Sequence, residues 1–243
     1  MTCTQEELNR RIFTAYHMGL QPAIHAIGDL ALDTTLTAIE NAIAQERACG
    51  ATEEELSKRL PFRIIHVQMV DSELVARMKK LPVVLDIQPI FLATDWSWIE
   101  KKLGKERVNG AYAWNTLQQA GLLLTGGSDC PVESYHPRPG IYAAVTRCGM
   151  DGQPENGYQL QERSSRFDAI ALYTKNPHYA TGQQNVHCKD CETYEREISE
   201  AGNQSGPFKA ECSRGGKTMR KLWNSSSRRH KGRNRKRSGC QTV

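Results

Sequence analysis

Residues 4–180 predict an α/β fold of parallel βαβ units. Four short runs rich in apolar and β-branched residues recur along the chain: QPAIH (21–25), FRIIHV (62–67), VVLDIQ (83–88) and LLLTGG (122–127). Helix-period segments separate them, and Gly, Pro or capping residues punctuate the joints. The runs are nearly continuous in apolar character rather than alternating, the pattern of parallel strands with both sheet faces covered.

The elements follow in order. Thr4 stands three residues before Glu7, a capping-box pattern, and opens a helix with Leu8, Ile12 and Ala15 on one face and Gly19 as its stop. The first strand runs from about Gln21 to His25. Leu32, Leu36, Ile39 and Ile43 recur at spacings of four and three, an amphipathic helix. Thr52 with Glu55 forms a second box, opening a short helix that halts before Pro61. FRIIHV is the second strand. DSELVARMKK follows as a helix, capped by Asp71, with Leu74, Val75 and Met78 inward. VVLDIQ is the third strand, and FLATDWSWIEKKLG is expected as a long aromatic loop leading to a helix around RVNGAYAWNTLQQA. LLLTGG is the fourth strand and SSRFDAIALYTKN the closing helix. Four such units make half of an eightfold barrel or most of a small open sheet, and periodicity leaves both open.

Charge divides the chain in two. From Thr181 onward, 14 Lys and Arg face 6 Asp and Glu, a net +8, whereas the first 180 residues carry a net −3. Beyond Ala180 the apolar recurrence stops, so residues 181–243 are expected to be a disordered basic tail. The run RRHKGRNRKR in it has the charge of a nucleic-acid or localisation segment without interleaved aromatics, and nucleic acid is not expected as a partner. The H-C-x-x-C at His187, Cys188 and Cys191 lacks a well-spaced second pair for a zinc site. The eight cysteines show no framework spacing and are expected to stay reduced. No run approaches a membrane span, and the first residues lack a secretory apolar region, so the cytoplasm is the default compartment and no membrane partner is expected.

Function concentrates where strands end. In parallel α/β folds the loops converge over the C-terminal ends of strands, where His25, His66 and Asp129 fall. Two imidazoles and a carboxylate suit Zn²⁺ and similar divalent ions. Such an ion acidifies a bound water for attack on a carbonyl, and a carboxylate beside it can carry the proton to the leaving group. Each residue also has a structural reading: a histidine after an apolar run is more often packed than ligating, and an Asp after Gly-Gly-Ser is often a turn former. Spacing alone does not decide between the two. Phe91, Trp96 and Trp98, after the third strand, are candidates to wall an apolar substrate pocket, or to pack on the rim. Asp29 and Asp86 read as structural.

HAIGD (25–29), RIIHVQ (63–68), DIQPIF (86–91), LGKERVNGAYAW (103–114), GGSDCPV (126–132) and PGIYAAVTR (139–147), in that order, resemble the metal-dependent amidohydrolase superfamily, and more closely its YtcJ-like branch, amidohydrolase family 3. The resemblance covers about residues 4–180. It implies the C-terminal half of a (β/α)₈ TIM-like barrel, strands five to eight, and hydrolysis of amide-type, non-peptide C–N bonds in a small-molecule substrate. It implies His25 and His66 as metal ligands and Asp129 as both ligand and proton shuttle, with zinc as the expected ion and iron or manganese as alternatives. Ile65 stands where the family usually carries Glu, and Leu30 where it carries Arg. The family's first-strand H-x-H pair is absent from this sequence and its fourth-strand ligand would lie upstream, so an incomplete fragment is expected. The completing partner is then the missing N-terminal half or a second copy of the chain. A truncation, or a shifted reading frame after about Ala180, is the expected explanation of both ends. The alternative from another class is a catalytically inactive protein that binds partners or nucleic acid through the basic tail.

Overall fold

Local signals set the first layer of a computed structural model that describes residues 3–183. Thr4 accepts from Glu7 N and starts α1 (Gln5–His17), but only half of the expected box forms, because the Glu7 carboxylate pairs with Arg11 one turn on. At α3 (Glu53–Ser57) the box is complete: Glu55 N donates to Thr52 Oγ1 at 3.2 Å, and Thr52 N donates to Glu55 Oε2 at 2.8 Å. Asp71 caps α4 (Ser72–Met78) by accepting from Leu74 N at 2.8 Å. Each side chain satisfies a backbone N–H that the first helical turn leaves without a partner. Between them, α2 (Asp29–Ala48) buries Leu32, Leu36, Ile39 and Ile43, the face its spacing predicts.

Strands β1 (Ala23–Ala26), β2 (Phe62–His66), β3 (Val83–Ile87) and β4 (Leu123–Gly126) form one parallel sheet in sequence order. Side chains alternate along strands, so the register separates two faces. Ala26, Phe62, Ile64, Leu85, Ile87 and Leu124 join the helices' apolar side chains in the core. The other face carries His25, Ile65, Asp86 and Thr125 in register across the four strands. On it Arg63 Nε donates to Asp86 Oδ2 at 2.8 Å, and Thr125 donates to Asp86 Oδ1. This face is buried at β3 and β4 but open at β1, where Ala23 and His25 are exposed. The expectation of two evenly covered faces is corrected accordingly: single polar residues inside FRIIHV and VVLDIQ build a polar stripe that an apolar-run reading averages away.

Several other expectations change. FLATDWSWIEKKLG is no loop but α5 (Phe91–Leu103), with Leu92 and Ile99 buried and Gly104 ending it at φ 77°. The stretch around 107–120 divides into a 3₁₀ turn, Val108–Gly110, and the short α6 (Trp114–Gln119). Residues 137–146, given no element above, form α7 (Pro137–Thr146) with Pro at its first position, where the missing N–H is harmless. The closing segment splits into α8 (Arg166–Ala171), capped by Ser165, and α9 (Lys175–Ala180).

The sheet's two edges differ. Both would offer unpaired backbone if nothing covered them. At β4, however, Gly126 N donates to Leu172 O at 2.8 Å and Asn176 Nδ2 donates to Leu124 O at 2.7 Å, so Leu172, just after α8, and Asn176, in the first turn of α9, seal that edge. Among the described residues no strand pairs with the far side of β1. The described cysteines, Cys3, Cys49, Cys130 and Cys148, are free thiols. No helix among the described residues is long and apolar enough to cross a membrane. Beyond Gln183 the basic tail and its H-C-x-x-C lie outside the described residues.

Candidate functional site

His25 is the third residue of β1 and His66 the last of β2, on neighbouring strands one register step apart. Strict alternation would turn His66 toward the face of its partner Ala26, away from His25. It does not, because His66 takes φ 81° and Val67 φ 49°. A left-handed non-glycine residue is strained by roughly 1–2 kcal/mol, and two in succession at a strand tip redirect the side chain. Val67 N still donates to Ala26 O at 3.0 Å, which anchors the bent backbone.

The two rings meet edge to face, centroids 4.4 Å apart, with His25 Nδ1 2.9 Å from His66 Nε2. His66 is buried and His25 exposed. The other His66 nitrogen, Nδ1, lies 2.7 Å from Gln88 Oε1, and Gln88 Nε2 donates to the Asp86 carbonyl at 2.9 Å. Burial holds the His66 imidazole below its usual range. The Gln88 hydrogen bond opposes that shift, the His25 ring adds to it, and the Asp129 charge opposes it.

Asp129 follows β4 in a turn, exposed and left-handed at φ 52°, and its carbonyl accepts from Val132 N at 2.8 Å. Gly127 N donates to Ile87 O at 2.9 Å, which continues the β3–β4 pairing up to the turn. Gly126 packs closely against Tyr173: a Cβ there would stand 2.7 Å from the ring. A cavity of about 150 Å³ opens beside this turn, lined by Gly127, Ser128, His136 and Tyr173 among others. Burial pushes the Tyr173 phenol up.

The structure therefore joins His25 to His66 and puts Asp129 close enough for its charge to act on His66. Among the described residues no group of three His, Cys, Asp or Glu is gathered tightly enough to hold an ion. The histidine pair can be tested against a cation on its own. Two imidazole nitrogens bonded to one ion at roughly 2.0–2.1 Å stand about 2.9–3.4 Å apart for angles of about 90–110° at the metal. The observed 2.9 Å lies at the near end of that interval and is also the length of a hydrogen bond between the rings, so the spacing is compatible with two corners of a site, and the third donor is not drawn in. Of the aromatic candidates, Phe91 lies beside His66, ring centroids 6.0 Å apart at 25°. Trp96 is half-buried against the core and Trp98 is exposed. Gln88 is the participant that sequence reasoning missed, and its signal was the polar end of the third apolar run.

A parallel α/β sheet with paired histidines at consecutive strand tips defines a class, and comparison with known proteins gives the family. The amidohydrolase family matches residues 1–187, and the chain belongs to it. YtcJ of Bacillus subtilis (strain 168), which carries an amidohydrolase name, is 36% identical over 194 residues, covering 80% of this chain and 34% of that protein. The N-substituted formamide deformylase of Arthrobacter pascens is 25% identical over 182 residues, 74% of this chain and 31% of its own length. Among solved structures, an uncharacterized metal-dependent hydrolase from Pyrococcus furiosus superposes with a TM-score of 0.60 at 32% identity, covering 76% of this chain and 34% of that one. The chain thus spans about a third of the length of the relatives it matches. The four-stranded parallel sheet is consistent with part of a TIM-like amidohydrolase barrel.

Proposed function

We propose that this chain carries part of the active site of a metal-dependent hydrolase that cleaves amide-type, non-peptide C–N bonds in small molecules. The observation that carries the reading is the His25 Nδ1–His66 Nε2 approach at 2.9 Å over two strand tips, in a chain similar to metal-dependent hydrolases. His25 and His66 are the proposed holders of a divalent ion, zinc first and iron or manganese as alternatives, with Asp129 swinging in from its exposed turn. When bound, the ion supplies Lewis acidity toward the substrate carbonyl and lowers the pKa of water.

The chain's own residues do the rest. Asp129 takes a proton from the attacking water as the water oxygen bonds to the carbonyl carbon. The C–N bond then breaks, and Asp129 returns the proton to the departing nitrogen, leaving a carboxylic acid and an amine. Phe91, beside His66, offers an apolar wall that limits water around the reacting carbonyl. The remaining donors are proposed to come from outside this chain, from a segment equivalent to the rest of the relatives' length or from a second copy.

Zinc titration of the purified full chain, followed calorimetrically, tests the reading. One ion per chain in the wild type, lost in both His25→Ala and His66→Ala, is the expected result. Equal zinc binding in all three proteins would overturn it.

A further inference from the structure

We infer that Gln88 is a positioning residue that sets His66 in one tautomer, with its proton on Nδ1 and the Nε2 lone pair directed at His25. The argument starts from a group that cannot change its role. The Asp86 main-chain carbonyl only accepts hydrogen bonds, so the Gln88 nitrogen 2.9 Å from it must be the amide NH₂. That choice fixes the side-chain flip, and the Gln88 oxygen is then the atom 2.7 Å from His66 Nδ1. An amide oxygen only accepts, so Nδ1 must carry the hydrogen. In an uncharged ring the second nitrogen, Nε2, then holds the lone pair.

Each link is shielded. Gln88 and His66 are buried, and Asp86 is held by Arg63 Nε at 2.8 Å. Water therefore does not compete for the amide, and its orientation passes from the β3 backbone to the imidazole without an ionisable intermediary. This deepens the hydrolase reading of the same site: orienting partners behind a ligating histidine raise its basicity and fix its ring.

The two histidines consequently differ in readiness. His66 presents a lone pair at Nε2 in every uncharged state of the site. His25 Nδ1, 2.9 Å away, donates to that lone pair when nothing lies between the rings. To share a cation, His25 must move its proton to Nε2, which its exposed ring can do through water. His25 is the ring that resets, and His66 is the one preset by the fold.

Long-range ¹H–¹⁵N imidazole spectra of the full-length, ¹⁵N-histidine-labelled chain, recorded where the rings are uncharged, test this without any metal. The wild type should show His66 as a single Nδ1–H tautomer. Gln88→Met, similar in volume but without the amide, should give His66 a mixture of tautomers. Gln88→Glu in its protonated form keeps both contacts, its hydroxyl donating to the Asp86 carbonyl and its carbonyl oxygen accepting from Nδ1, and should restore Nδ1–H. A wild-type His66 protonated on Nε2, or an unchanged single tautomer in Gln88→Met, would overturn the inference. If Gln88→Met does not fold, Gln88→Leu takes its place, and a wild-type His66 protonated on Nε2 overturns the inference by itself.

Zinc affinity adds a second readout, expected to fall about 10–100-fold in Gln88→Met and to recover in Gln88→Glu. On zinc addition, the His25 pattern should switch to Nε2–H while the His66 pattern holds. A wild type that binds no zinc would remove the hydrolase reading and leave the tautomer result standing by itself.

Discussion

The carboxylate of Glu46, on the last full turn of α2, accepts from Arg59 Nη2 at 2.9 Å, with only 3% of the Glu46 side chain exposed. His17 Nδ1 approaches its other oxygen at 2.9 Å, and Arg59 also donates to the Tyr16 carbonyl and lies over the Tyr16 ring. Three segments far apart in sequence are tied together here: the ends of α1 and α2 and the turn after α3. Burial alone would raise the Glu46 pKa, but the hydrogen bonds from Arg59 and His17 outweigh it and hold it below the usual range. A depressed carboxyl stabilises the fold above its unfolded-state pKa, and that contribution fades as pH falls through the folded value. Glu46→Gln should therefore lower stability by about 2 kcal/mol at neutral pH, less than for a fully buried pair because Arg59 is partly exposed. The gap to wild type should begin to narrow as pH falls past the unfolded carboxyl value of about 4 and close once pH has passed the lower folded value. Urea midpoints measured across that range check both parts, and a gap constant with pH would show that the Glu46 charge contributes nothing.

The role proposed for Asp129 can be tested apart from folding. It is exposed, its side chain makes no described hydrogen bond to the fold, and its left-handed backbone suits asparagine. Asp129→Asn should leave stability within about 0.5 kcal/mol of wild type. In any assembly of this chain that turns over an amide, the same change should cut kcat by about 10²–10⁴-fold, the usual contribution of a general acid–base group. Unchanged kcat would remove Asp129 from the proton path.

The histidine pair was legible because His25 and His66 each close an apolar run, and consecutive parallel strands bring their ends side by side. Gln88 closes the third run in the same way but carries neither charge nor ligand character, so nothing in residue type distinguishes it from a loop residue until its hydrogen bonds are seen. The bend that joins the rings was not legible, since φ 81° at His66 is uncommon outside glycine and φ 49° at Val67 is an outlier for a β-branched residue. Helix α5 is masked in the sequence by the aromatic content of Phe91, Trp96 and Trp98, although Leu92, Trp96, Ile99 and Leu103 keep spacings of four, three and four. Helix α7 was hidden by Pro137 and Pro139, which read as breakers but fall in the first turn, where proline is tolerated.

Gly110 marks a close approach between the loop after β2 and the 3₁₀ turn. Val70 N donates to Gly110 O at 2.9 Å, and a Cβ on Gly110 would stand 2.1 Å from Val70 O. Neither backbone can yield without losing that hydrogen bond, so Gly110→Ala should destabilise by about 3 kcal/mol, the upper end for overpacking. Gly121, at φ 81° with open space around it, gives the contrast. Gly121→Ala carries only the left-handed penalty of about 1–2 kcal/mol. Thermal or urea unfolding of the two variants should rank them in that order. Equal losses would mean that steric contact at Gly110 is relieved by movement of the loop.

The sealed edge of β4 gives the last test. Leu124 O faces away from β3, and its described partner is Asn176 Nδ2 at 2.7 Å. Asn176→Ala would leave a carbonyl on a buried residue without its donor, a loss of about 1–3 kcal/mol. It would also uncover part of a strand edge, and an open edge is a template for pairing with another chain. Two effects should therefore appear together in Asn176→Ala: a lower unfolding midpoint and concentration-dependent association by light scattering. Asn176→Asp is the sharper control, because a carboxylate of the same shape cannot donate and repels the carbonyl. It should lose as much stability as alanine, yet its charge should suppress the association. If Asn176→Ala stays monodisperse at concentrations where β-edge pairing would show, the Gly126–Leu172 hydrogen bond alone suffices to guard the edge.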